Sequence, residues 1–404
     1  MPMLTDSPLL SVATRRALAP NVAYALMASV IGLALFASGT PSPLYSMYRE
    51  LWGFSPLVLT LIYAIYALGV LTSLILAGRI SDEVGRRPVL LVALGTLMGT
   101  TVLFMLADSV TWLFIARALQ GLATGLALGA AGAALLDLHP RRDPAGVGLT
   151  NGVASAGGIG LGVLTSAVFL ELLPAPLVLP YVALLVLFAI AFSGTLLMPE
   201  PVSNRSRLRL TPQRPSVPPK TRRAFMLAAL AITSSWSIGG LLLALGPQLA
   251  ASLFHTNDHL VAGINIFALT GAAAVGQLAF RHAAPWAGAA AGSLALATGM
   301  VTLVVATAAD SGALSLVGVL IGGTGFGVAF LGALRVLSAA IPPERRGAVM
   351  SAFYIVGYAA LSVPAILAGA LVTPLGLQLT FEIFGSAVAA LALVVAFEAW
   401  RTRP

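Results

Sequence analysis

The sequence predicts an all-α integral membrane protein of twelve spanning helices in two pseudo-symmetric six-helix halves, with both termini in the cytoplasm. Three observations predict it. Of the 404 residues, 58% are hydrophobic and the mean hydropathy is +0.96, well above the roughly 45–50% apolar usage of soluble domains, so the apolar surface must face lipid. The apolar residues gather into twelve runs, each near the ~20 residues that cross a ~30 Å hydrocarbon core as a helix, the structure that satisfies its own backbone in lipid. The basic residues alternate from side to side in step with those runs.

The runs cover roughly 21–44, 56–77, 88–108, 111–137, 147–170, 178–198, 223–247, 259–280, 286–307, 313–339, 348–371 and 378–398, spans 1 to 12. Span 1 opens like a signal peptide, with Arg15 and Arg16 ahead of an apolar run. That run exceeds the ~7–15 residues of a signal h-region, so span 1 is read as a helix that stays. Pro41 and Pro43 break it near its outer end. Span 2 carries Tyr63 and Tyr66 and leads into a charge-dense loop ahead of span 3. Span 4 holds Arg117, and span 5 is rich in glycine. Span 6 ends at "PEPVSNRSRLRLTPQRPSVPPKTRR" (199–223), whose prolines and like charges favour an extended, solvated linker. Spans 7 to 12 follow, with "TSSWS" (233–237) in span 7, Asn265 and Gln277 in span 8, Arg335 in span 10, and Tyr354 and Tyr358 in span 11.

With both termini inside, 19 of the 22 Lys and Arg residues fall in inner segments, Arg49 alone lies in an outer loop, and Arg117 and Arg335 lie within spans. A wrong span count would scramble this positive-inside pattern. The chain also repeats itself at an offset of 202 residues: Ala107, Asp108 and Ser109 match Ala309, Asp310 and Ser311, Gly121 and Gly125 match Gly323 and Gly327, and Pro140 matches Pro342. The domains are therefore a half over 1–198, a cytoplasmic linker over 199–223 and a half over 224–404.

Net charge is +8 and pI about 10.4, but the basic residues sit between apolar runs, not on a basic patch of a soluble fold, so nucleic acid is excluded as a partner. There is no cysteine, the four histidines lie in loops, and no two acids pair inside a span. An intramembrane enzyme needs a nucleophile or a metal cluster in its spans, so neither catalysis nor a metal site is expected.

The loop "GRISDEVGRRPVL" places Arg79, Asp82, Glu83, Arg86 and Arg87 within thirteen positions of a chain that is only 9% charged. Gly78 and Gly85 permit tight turns at two helix ends, Pro88 suits the first turn of span 3, and Asp82 is able to accept hydrogen bonds from a helix N-terminus. The basic residues are within reach of Asp137 at the inner end of span 4. Gly78, Ser81, Asp82, Gly85, Arg86 and Arg87 together resemble the most specific signature of the major facilitator superfamily. The resemblance implies a transporter that works by alternating access, with this loop as a cytoplasmic latch between the halves and the aspartate stabilising the outward-facing state.

A second match is "RALQG": Arg117, Gln120 and Gly121 resemble the superfamily's Arg-x-x-Gln-Gly signature in the fourth helix, which implies a part in proton coupling. An arginine about 10 Å into a span costs at least ~2.5–3.5 kcal/mol unless it snorkels, so Arg117 is functional by default. A third match is partial, because "NGVASAGGIGLGVLTSA" (151–167) keeps the glycines of the drug:proton antiporters but has Val163 where they have proline; Gly158 and Gly162 are read as helix-packing positions. By resemblance spans 1, 4, 7 and 10 line the cavity, which makes Tyr45, Arg117, Trp236 and Arg335 substrate-binding candidates, and span 8 adds Asn265. The expected activity is proton-coupled efflux of an amphipathic compound or drug. The absence of a midplane carboxylate, with two arginines in the spans, keeps open a proton symporter importing a small organic anion. The expected partners are the lipid bilayer of a bacterial cytoplasmic membrane, a small-molecule substrate and protons, with no cofactor beyond the proton gradient and a monomeric state.

Overall fold

All twelve apolar runs form helices in the computed structural model, which describes residues 18–77, 80–202, 215–256, 258–342, 345–401 and 403. The helices long and apolar enough to cross a membrane are Pro20–Trp52, Pro56–Leu76, Arg86–Met105, Val110–Leu138, Pro144–Leu172, Leu179–Leu196, Pro219–Leu253, His259–Ala279, Pro285–Ala308, Gly312–Ala340, Arg346–Leu375 and Leu377–Arg401. They keep the numbers of spans 1 to 12. An even number returns the chain to the side on which it started.

Local chemistry sets the helix ends. Spans 1, 5 and 9 begin on Pro20, Pro144 and Pro285 at the first helical position, where the missing N–H costs nothing. Asp143, Asp258 and Ser311 accept backbone N–H bonds at the starts of spans 5, 8 and 10. Outward-facing Leu68, Val92, Ile190, Val275 and Phe397 present apolar side chains to lipid. Between spans 2 and 3 lies a short helix, Ile80–Val84, that the sequence did not announce. Gly85 follows it with φ +115°, a backbone that favours glycine.

The prolines of span 1 act differently from the expectation. The helix closes at Gly39 and a second helix starts at Pro41, yet Thr40 between them stays helical at φ −48°, ψ −45°, and the helix continues to Trp52. The prolines open the hydrogen-bond ladder without ending the helix, so Arg49 lies in the last turn of span 1 and not in a loop. Span 7 likewise runs through Pro247 to Leu253.

The two halves meet along spans 2 and 11 and along spans 5 and 8. On the second seam a side chain on Gly152 would collide with Gln277, and one on Gly160 with Thr270. Spans 9 and 10 in the C-terminal half touch backbone to backbone: a methyl group at Gly292, Gly299, Gly325 or Gly332 would overlap the facing main chain.

Candidate functional site: an outer cavity over a buried arginine

A cavity of about 410 Å³ opens between the outer ends of spans 1, 2 and 7, lined by Ser42, Tyr45, Ser46, Arg49, Glu50, Phe54, Tyr63, Leu243, Ala244, Pro247 and Gln248 among others. Its volume falls in the range of small-molecule sites. Proline chemistry shapes its wall. Pro247 has no N–H to give the carbonyl four residues back, and the hydroxyl of Ser42 donates to that freed Leu243 carbonyl at 3.3 Å. Tyr63 donates in turn to Ser42 Oγ at 2.8 Å. This short chain joins the two halves across the cavity.

Arg117 lies directly beneath and is fully buried. Its Nε donates to the Tyr45 hydroxyl at 2.6 Å, and its Nη1 donates to the Ser38 carbonyl at 3.0 Å and to Gln120 Oε1 at 2.8 Å. Gln120 completes the clamp by donating to the Ala37 carbonyl at 3.0 Å. Pro41 sits four residues after Ala37 and cannot supply the helix bond that carbonyl would ordinarily accept, so Gln120 satisfies a group that the proline orphaned. The guanidinium carbon stands 5.3 to 5.9 Å from the ring centres of Tyr45, Tyr63, Tyr66 and Phe104, within cation–π range.

Inward of the cavity the path is shut. Tyr66, Ala67 and Val70 of span 2 pack with Tyr358 and Leu361 of span 11 and with Trp236 of span 7. Trp236 meets Tyr358 edge to face at 5.0 Å.

At the cytoplasmic end Arg86 is the hub. Its Nε donates to Asp137 Oδ2 at 3.0 Å and its Nη1 to Ser81 Oγ at 2.8 Å and to Asp82. Glu200, at the end of span 6, accepts the backbone N–H of Arg86 at 2.9 Å and of Arg87 at 3.0 Å. The carboxylate on the N-terminus of span 3 is therefore Glu200, whereas Asp82 pairs with the Arg86 side chain, which corrects the sequence expectation: the Ile80–Val84 helix turns Asp82 away from the backbone. All these acceptors of Arg86 belong to the N-terminal half or to the first residues of the linker. Gly78 lies outside the described residues.

A family model for the Major Facilitator Superfamily matches residues 27–364. The chain belongs to the Major Facilitator Superfamily. A search of curated proteins returns no match. Among solved structures, the crystal structure of the human organic anion transporter MFSD10 (TETRAN) is similar at 18% identity, with a TM-score of 0.69 over 94% of this chain and 99% of that one. At that identity the likeness speaks for the fold.

As a superfamily member the chain is a secondary transporter, not an enzyme. Of its sequence-predicted site residues, the structure brings Tyr45, Arg117 and Gln120 together at the cavity floor. Three others go elsewhere. Arg335 donates to the carbonyls of Arg281 and Ala283 at 3.2 and 2.9 Å, so it binds the loop between spans 8 and 9 and does not line the cavity. Asn265 bonds to the Val261 carbonyl and lines a separate crevice of about 20 Å³ within the C-terminal half. Trp236 belongs to the aromatic closure. Gly158 and Gly162 admit the Gly32 and Phe36 backbone of span 1, while Gln277 is buried on the seam with span 5. Sequence reasoning missed Ser42, whose only signal was Pro247 four residues after its acceptor, and Glu200, which carried none.

Proposed function

We propose that the chain is a proton-linked exporter of small amphipathic compounds, moving them by alternating access between the two halves. The observation that carries this reading is the Arg117–Gln120 clamp: a buried cation on span 4 holds the proline-opened stretch of span 1 and touches Tyr45 and Tyr63 in the cavity wall. A change of charge in the cavity is therefore felt by the helix that must move. The Arg86 cluster joins the inner ends of spans 3 and 4 to the start of the linker, not one half to the other as the sequence expectation had it. It serves as a latch on the N-terminal half, with Asp82 as the member that releases, since its side chain is 55% exposed and the others are more enclosed.

A second reading, proton symport of a small organic anion, is favoured by one observation: among the described residues no carboxylate pairs with Arg117. The fold is shared with a human protein described as an organic anion transporter. Inside-out vesicles with an acid lumen and a pH-sensitive dye separate the two. Proton release triggered by an added compound, and slowed severalfold with Asp82→Asn, supports export and gives the charge class of the substrate. Silence toward cationic, neutral and anionic compounds alike, with the protein in the membrane, removes proton-linked export and leaves uptake of carboxylates to be measured.

A further inference from the structure

Arg117 has an incomplete set of partners. A guanidinium carries five N–H donors, and Nε and Nη2 lie on one edge of its plane, the fork that grips a carboxylate with two parallel bonds. In this structure the Tyr45 hydroxyl fills the Nε prong with a single oxygen at 2.6 Å. Nη2 is buried without a hydrogen-bond partner. Both N–H groups of Nη1 are committed, to Ser38 and Gln120, and four aromatic rings close the faces. Rings and neutral oxygens stabilise a cation, but none supplies the negative charge that offsets the burial of an arginine.

The incomplete fork lies one side chain behind the cavity. Tyr45 and Tyr63 contact Arg117 and also line the 410 Å³ space. The charged residues of that lining are Arg49, whose Nε donates to the Phe54 carbonyl at 3.3 Å, and Glu50. Among the described residues no carboxylate pairs with the cation under the floor, and the walls above it carry tyrosine, leucine and phenylalanine.

We propose that Arg117 is the subsite for the anionic group of the transported compound, a carboxylate or sulfonate on an apolar aromatic body, and that the Tyr45 hydroxyl holds the place of one anion oxygen until it arrives. Rotation of Tyr45 opens the fork; one oxygen of the anion takes Nε and the other takes Nη2. Binding then breaks a span 1 to span 4 contact beside the opened stretch of span 1, which links occupancy to the helix that moves. The proposal rests on the transporter reading of this cavity, and on neither the direction of transport nor proton coupling.

The test is equilibrium binding to the purified full chain in lipid nanodiscs, with naphthoate as the anionic probe and naphthamide as its neutral counterpart of nearly the same shape. Naphthoate is expected to bind at least about tenfold more tightly than naphthamide, as a charge-assisted bidentate pair allows. Tyr45→Phe removes the place-holding hydroxyl and keeps the ring. It should tighten naphthoate by about two- to tenfold, the worth of one competing hydrogen bond, and leave naphthamide unchanged. Arg117→Lys, which lacks the planar fork, should lose the preference for the anion; if that variant does not fold, Tyr45→Phe carries the test alone. Equal affinity for the two probes, no naphthoate binding to the wild type, or weaker naphthoate binding by Tyr45→Phe would overturn the proposal. No gradient enters the measurement, so its failure leaves the vesicle experiment standing, and a silent vesicle experiment leaves the binding result standing.

Discussion

The two halves follow one helical plan and share close glycine packing, but they differ in the polar bonding laid over it. At the 202-residue offset of the internal repeat, Val319 stands where Arg117 stands, Gly322 where Gln120 stands, Gly288 where Arg86 stands and Ala339 where Asp137 stands. The N-terminal half ties span 4 to spans 1 and 3 through charged and amide side chains. The C-terminal half presses spans 9 and 10 together through glycine. In lipid, helix association relies on close packing and on hydrogen bonds between helices. Glycine also seats span 5 on span 1 and span 4 on span 2 in the N-terminal half, and what sets that half apart is the charged and amide bonding it adds on span 4. A glycine seam has one good geometry and no slack, whereas a set of donors and acceptors can exchange partners. The difference places the rearranging chemistry in the N-terminal half, laid over a glycine scaffold that both halves share.

The largest way to break this contrast is at its polar centre. Arg117→Ala removes the donor of three hydrogen bonds and should lower compound-driven proton flux in vesicles by about tenfold or more, given that charge-assisted bonds are worth ~1.5–3 kcal/mol each, while Val319→Arg in the other half should not restore it. Unchanged flux in Arg117→Ala would mean that the buried cation is scaffold too. Next comes the seam. Gly299→Ala drives a methyl group into the Gly322 backbone and should cost roughly 1–3 kcal/mol, read as a fall in the detergent melting temperature. Gly157→Ala, which meets nothing within 4 Å, should be neutral or slightly stabilising. Equal losses from the two would mean that backbone contact at the glycine does not set the cost.

Asp82→Asn sharpens the comparison within the N-terminal half. Arg86 would keep Asp137 and Ser81, so the protein should reach the membrane in ordinary amount with transport slowed severalfold. A full transport rate would take Asp82 out of the latch.

The spans were legible because length and apolarity suffice to mark them, and the Arg117–Gln120 pair because it resembles the superfamily's fourth-helix signature; the bond between them follows from residues three apart sharing a helix face. Which way a span faces was not legible. Span 10 is apolar nearly all round, so nothing in its pattern says that Arg335 turns toward Arg281 and Ala283, and the same uncertainty misplaced Asn265 in span 8. The prolines were half legible. Pro41 and Pro247 mark carbonyls four residues back that must find other donors, but the sequence does not say that Gln120 and Ser42 are those donors. Glu200 stands 114 residues from Arg86, and only the three-dimensional fold brings its carboxylate to the start of span 3.

The smallest effect is expected at Asp143, on the cytoplasmic rim of the half that carries the charges. Its carboxylate accepts the N–H groups of Ala145 and Gly146 at 3.0 Å each, and those bonds, Ala145 first, hold its pKa below the ordinary carboxylate range. A group whose pKa is depressed on folding contributes stability above its unfolded value and loses it as pH falls through the folded one. That window lies below about pH 4, so between about pH 5 and 8 Asp143 stays ionised and takes up no proton. Asp143→Asn keeps a good helix cap and should leave the pH dependence of transport over that range unchanged. A shifted profile would place a proton-linked step on this rim, and the chemistry assigned to the Arg117 floor would then have to be shared with it.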